Sequence, residues 1–224
     1  MIPHVRFYEL TIPLTMLLFD HVYKTYDQQP VLEISHLKLE RNIYWIQGIN
    51  GSGKTTFLSM LAGLIPFKGD ILLDGINLRQ NPLSYRRLVN FAEAEPLYPD
   101  FITGIELVSF YQDIRKAATI QMDMLINLFK MHHFLKLPIG TYSSGMVKKL
   151  SLLLAFIGKP SLILLDEPLA TLDEESIHVL PELISAYNKE FKTCFIFSSH
   201  QPFKTYSLAI NKILITDQSL QLIT

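Results

Sequence analysis

A single cysteine, Cys194, stands in a chain of 224 residues. One thiol excludes an internal disulfide, and its apolar setting, Cys194-Phe195-Ile196-Phe197, reads as a reduced residue in a buried strand. Charge of one sign is lacking as well. Lysine and arginine total 20 against 21 aspartates and glutamates, a net charge of −1, which offers no bulk attraction for nucleic acid. No apolar run reaches the ~20 residues that a membrane-spanning helix needs. The richest, residues 150–158, stops at Lys159-Pro160 and reads as a buried helix. The N-terminus has neither a basic n-region nor a small-residue cleavage site, so no signal peptide is expected. Internal repeats and low-complexity linkers are missing too. The expectation is a soluble protein of a reducing compartment; any membrane part must come from another chain.

What is present is apolar and patterned. Hydrophobic residues make up 49% of the chain, which argues against disorder, and the length suits one α/β domain with a sizeable core. The central feature is Gly48-Ile49-Asn50-Gly51-Ser52-Gly53-Lys54-Thr55-Thr56. It matches G-x-x-x-x-G-K-[ST], the phosphate-binding loop. The apolar run Ile43-Tyr44-Trp45-Ile46 leads into it as a strand, and residues 56–62 leave it with helical spacing. Glycines at 48, 51 and 53 let backbone N–H groups turn around an anion, and the helix N-terminus adds partial positive charge. Lys54 is expected to reach the β- and γ-phosphates of a nucleotide, and the Thr55 hydroxyl to hold Mg²⁺.

The remaining pattern is read in order. Residues 1–15 are apolar but broken by Pro3 and Pro13, and are expected to be an extension, with the compact domain beginning at Met16. Short antiparallel strands are expected from residue 16 onward, at 31–39 and before the Asp74-Gly75 turn. Residues from about 95 to 157 carry helical patterns such as Met124-Leu125, Leu128-Phe129 and Met131. Leu162-Ile163-Leu164-Leu165 reads as a buried parallel strand that delivers Asp166 and Glu167 to its carboxyl end, where α/β sheets bind ligands. Residues 195–200 form another strand with a polar end, and 212–216 and 220–223 a closing hairpin.

Taken together, these motifs resemble the ATP-binding subunit of an ABC transporter, from Met16 nearly to the end. The resemblance implies an α/β P-loop NTPase with a RecA-like parallel-sheet core, a small antiparallel β subdomain and a helical insert. Leu162 to Glu167 resembles the Walker B strand; Asp166 would hold Mg²⁺ and Glu167 would be the general base. Tyr142-Ser143-Ser144-Gly145-Met146 stands in the place of the L-S-G-G-Q signature. Ser143 and Gly145 keep two of its positions and would bind ATP held by the opposite subunit, while Tyr142, Ser144 and Met146 depart from it. Leu169-Ala170-Thr171-Leu172-Asp173 resembles the D-loop, with Asp173 at the dimer seam, and Asp173 can also cap the following helix. His200 matches the switch histidine. Tyr26 is favoured over Tyr23 as the aromatic that stacks on adenine. The usual Q-loop glutamine is absent from residues 90–99, where Glu93 or Glu95 could replace it.

The implied cofactors are ATP and Mg²⁺. The implied catalytic residues are Lys54, Glu167 and His200; the nucleotide would further contact Gly48, Asn50, Gly51, Ser52, Gly53, Thr55 and Thr56. The implied partners are a second copy, or a similar ATP-binding subunit, and an integral membrane permease subunit, at the cytoplasmic face of the cell membrane, with no nucleic acid. The alternative is a soluble ABC-type ATPase with a role outside transport. Such proteins carry paired cassettes, coiled-coil or zinc insertions, and none is visible here.

Overall fold

The computed structural model describes residues 15–200 and 209–223. The expected extension lies outside the described residues except for Thr15, with which the first strand begins.

Two sheets share the chain. The first contains β1 (Thr15–Tyr26), β2 (Gln29–Glu40), β4 (Lys68–Leu73) and β5 (Ile76–Asn77), antiparallel in the order β2-β1-β4-β5. The second contains β3 (Ile43–Gln47), β6 (Val89–Ala92), β7 (Leu162–Leu165), β8 (Cys194–Ser198), β9 (Ile210–Thr216) and β10 (Ser219–Ile223), in the order β10-β9-β3-β8-β7-β6. It is parallel throughout except for β10, which pairs antiparallel with β9. The helices are α1 (Lys54–Leu61), α2 (Pro82–Leu88), α3 (Gly104–Arg115), α4 (Thr119–Leu128), α5 (Ser144–Phe156) and α6 (Glu174–Phe191).

The all-apolar strands of the parallel sheet are explained by two cores, one on each face. Side chains alternate along a strand. Leu162, Leu164 and Ile196 enter a core shared with α1 and the antiparallel sheet, against Phe57, Leu58 and Phe19. Ile163, Leu165, Phe195 and Phe197 enter the other, against α5 and α6 through Leu150, Leu153, Leu180 and Ile184. A strand covered on both faces has no polar side to show. Cys194 lies in the first core, and burial pushes its thiol up to about 12, so it stays protonated.

The antiparallel strands differ from expectation. β1 and β2 run twelve residues each and are not short. Their length was hidden by interruptions: β1 slips register against β2 at Thr15/Leu17 and Lys24/Thr25, and against β4 between Asp20 and Tyr23. One residue more on β1 than on β4 separates the pairs Asp20–Asp70 and Tyr23–Lys68, which defines a β-bulge. Gly69 is required beside it, because a Cβ there would meet the His21 carbonyl oxygen at 2.1 Å.

Candidate functional site

The polar groups gather at the carboxyl ends of β3, β7 and β8, neighbours in the sheet. β3 runs into the glycine loop. Gly51 (φ 77°) and Gly53 (φ 100°) take left-handed backbone that other residues resist. Gly48 has no room for a side chain, since a Cβ would lie 2.8 Å from the Ile215 carbonyl. α1 starts directly after Gly53, with no side chain capping it and no acid in its first turn. Its first N–H groups are therefore left for an anion. Lys54 is buried and folds back over its own loop, donating to the carbonyls of Gly48 (2.9 Å) and Ile49 (3.0 Å).

β7 ends in Asp166, which is 1% exposed. Ser198, at the end of β8, joins the two strands: its hydroxyl donates to Asp166 Oδ1 (2.5 Å) and accepts from the Glu167 backbone N–H (3.0 Å). Asp166 Oδ2 is buried and has no hydrogen-bond partner. Glu167 sits in left-handed backbone (φ 45°). One of its oxygens accepts from the His200 backbone N–H at 3.3 Å; the other makes no hydrogen bond but lies 3.4 Å from His200 Nε2. The Trp45 indole N–H holds the Ser199 carbonyl at 3.1 Å, which ties β8's polar end back to β3.

A cavity of about 530 Å³ opens at this point, lined by Tyr26, Asn50, Gly51, Gly53, Lys54, Thr55, Thr56, Asp166, Glu167 and His200 among others. Gly48 and Ser52 line an adjoining hollow with β9 residues. Tyr26 is 47% exposed at the end of β1, with Lys24 Nζ 4.3 Å from its ring centre; Tyr23 lines neither hollow. Neither Glu93 nor Glu95 lines the cavity; Glu93 instead offers its carbonyl to Lys148. The orphaned Asp166 Oδ2, in a cavity that Thr55 also lines, fits a divalent cation that prefers oxygen.

Ser143, Gly145 and Asp173 are not in this cavity. Ser143 caps α5 by accepting from the Met146 N–H at 3.3 Å. A Cβ on Gly145 would lie 2.8 Å from the Thr171 carbonyl, so this turn is packed against the D-loop segment. Asp173 caps α6 through Ser176 and pairs with Lys149. Partial burial raises its carboxyl, but Lys149 and Ser176 outweigh that and hold it down at about 2. Tyr142, the departure from leucine, packs edge-on to Phe134 and donates to the Phe134 carbonyl.

Two contributors were not visible in the sequence. Ser198 could have been suspected as the polar residue closing a wholly apolar strand. Lys148 drew no attention in the sequence, yet it is 2% exposed. Its ammonium donates to the carbonyls of Glu93, Ala94 and Asp166, which binds α5 to β6 and β7. Burial lowers it to about 8, against the pull of Asp166 and Glu167.

The comparisons agree with this arrangement. Residues 33–170, more than half of the chain, match the family model described as ABC transporter. The chain is 30% identical to the cytochrome c biogenesis ATP-binding export protein CcmA of Legionella pneumophila (strain Lens), over 79% of this chain and 88% of that one. It is 33% identical to the lipoprotein-releasing system ATP-binding protein LolD of Buchnera aphidicola subsp. Acyrthosiphon pisum (strain APS), over 72% and 75%. A solved ATP-binding subunit of an ABC transporter superposes with TM-score 0.82 at 22% identity, covering 92% of this chain and 88% of that one. The chain therefore belongs to the ABC transporter family, as an ATP-binding, ATP-hydrolysing cassette with the P-loop NTPase fold.

Proposed function

We propose that the chain is the ATP-hydrolysing subunit of a transporter, that it closes head to tail with a second copy or a similar cassette around two Mg-ATP, and that it drives a separate integral membrane permease subunit. The observation that carries this reading is the separation of the motifs. The glycine loop, Asp166, Glu167 and His200 share one cavity, whereas Ser143 and Gly145 stand at the partly exposed start of α5 and need a nucleotide from elsewhere. A dimer supplies it.

Bound ATP supplies the γ-phosphoryl group and Mg²⁺ neutralises its charge; the chain's own work is positioning and electrostatics. Lys54 exchanges its two loop carbonyls for phosphate oxygens. Thr55 and Asp166 hold the cation, with Ser198 keeping Asp166 in place. Glu167 accepts the proton of the attacking water, and His200 keeps its carboxylate turned to the cavity. Tyr26 offers an exposed ring to the base. The domain begins at Met16. No described helix is long and apolar enough to cross a membrane; in this reading a separate permease chain spans it, and this chain sits at that permease's cytoplasmic face. The printed names of the relatives, an export protein and a lipoprotein-releasing system, support an outward direction.

The test is recovery of tagged Glu167→Gln protein from detergent-solubilised cells that also carry a differently tagged copy. With ATP, the second copy or a similar cassette and a multi-spanning membrane protein are expected together. Recovery of the bait alone at saturating ATP overturns the proposal.

A further inference from the structure

The nucleotide cavity makes no use of the outer face of the antiparallel sheet, where two histidines and an aspartate converge. The cause is the bulge in β1. Regular alternation would place Asp20 and His21 on opposite faces. At His21 the backbone instead turns left-handed (φ 48°), and the next buried residue after Phe19 is Val22. Asp20 and His21 are thus both left on the outer side. His36 joins them because it lies directly opposite Asp20 in the β1–β2 register, and paired residues of antiparallel strands share a face.

The result is tight. His21 Nδ1 lies 2.8 Å and His36 Nδ1 3.0 Å from the same oxygen, Asp20 Oδ1. The two imidazoles meet edge to face, 4.7 Å between centres. One ligand atom from each residue lies within 4.8 Å of the other two. Four ligands on a tetrahedral zinc ion, bonded at about 2.0–2.1 Å, stand about 3.3 Å apart. Each imidazole nitrogen is already close to that spacing from the Asp20 oxygen. Two imidazoles and one carboxylate suit a late first-row ion rather than Mg²⁺, which prefers oxygen alone. Asp70, opposite Asp20 on β4, adds negative charge to the same face; its carboxylate is held by Asn77.

We propose that Asp20, His21 and His36 form a binding site for a divalent transition-metal ion of the zinc class, which ties β1 to β2. None of the three lines the nucleotide cavity, so this site is separate from the Mg²⁺ position at Thr55 and Asp166. Its ligands are contributed by one bulge and one cross-strand partner, and a fourth position stays open to water or another group.

The experiment titrates Zn²⁺ into the nucleotide-free chain in excess Mg²⁺, against a chromophoric zinc indicator. The variants are His36→Ala and His21→Asn, the latter because asparagine accepts left-handed backbone. Loss of an outer partner of a metal ligand already weakens binding by about 10–100-fold, and loss of a ligand does at least as much. One zinc per parent chain is expected, weakened at least tenfold in each variant and unchanged in His132→Ala. Thermal melts and ATP binding show that the variants are folded. Absence of saturable zinc binding, or equal binding by the folded double variant, overturns the site.

Discussion

Around β7 and β8, the polar groups at the acid end are answered by groups of the same chain: Ser198 bridges Asp166 and Glu167, His200 faces Glu167 twice, and Lys148 braces Asp166 from behind. At the start of α5, Ser143 caps its own helix, and Gly145 packs close to the Thr171 carbonyl. The first region keeps two carboxylate oxygens without hydrogen bonds in residues that line a cavity. The second has a formed turn, and neither Ser143 nor Gly145 lines the nucleotide cavity. In the proposed dimer the first region would hold a nucleotide beside Asp166 and Glu167, and the second would meet a nucleotide held by the other copy.

The largest effect should come from the first region. Glu167→Gln keeps size and the His200 contact but removes the base. Hydrolysis is expected to fall by about 10²–10⁴-fold, with ATP affinity within a few-fold of the parent. Turnover at the parent rate would remove Glu167 from the base role.

A sharper break sets the two regions against each other. Lys54→Ala disables a loop and Ser143→Ala a signature turn, so each homodimer has two damaged sites. If a site combines one copy's loop with the other's turn, a mixed dimer has one site with both defects and one with neither. Mixing the two inactive proteins should restore hydrolysis to a sizeable fraction of the parent rate. No recovery on mixing means that loop and turn serve the same copy's nucleotide.

The same contrast explains what was legible beforehand. The strand–loop–helix unit around Gly48 to Thr56 shows in sequence because its chemistry is local: glycines, a lysine and a hydroxyl at fixed spacing. β7 shows because four consecutive apolar residues end in two acids. α2 and β6 did not show. β6 is four residues long and contains Asn90, a buried amide that donates to the Ala155 and Ile157 carbonyls at the end of α5. Lys148 failed for the same reason: its three acceptors come from residues 18 to 55 positions away. A contact made only by the fold leaves no local pattern.

Lys148 gives a smaller effect that links the regions, since it lies on the signature helix and holds the catalytic strand. Lys148→Met leaves three carbonyls without their donor, at about 1–3 kcal/mol for a buried group, offset in part because an ammonium no longer has to be desolvated. A net loss of about 2 kcal/mol in urea unfolding is expected, with kcat down about tenfold and KM for ATP unchanged. The pH dependence has a definite sign. The folded chain holds Lys148 at about 8, below its ordinary 10.5, so between these values the unfolded state binds more protons and the parent gains stability relative to the variant as pH rises. A constant gap from pH 7 to pH 10 would contradict the burial of this charge.

The smallest effect belongs to Asp173, where the turn region meets solvent. Asparagine caps a helix about as well as aspartate, so Asp173→Asn tests the charge facing Lys149 rather than the cap. The carboxyl is half exposed, and such pairs contribute about 0–1 kcal/mol. Its folded value, about 2, lies below the ordinary 3.8. The contribution is therefore complete above about pH 4 and disappears as pH falls towards 2. Urea midpoints of parent and variant should differ slightly and constantly from pH 7 to pH 5, then converge as pH falls towards 2. A gap that persists unchanged down to pH 2 would assign Asp173 to the helix cap alone. A gap that closes would show that the Lys149–Asp173 charge pair steadies this segment within a single chain.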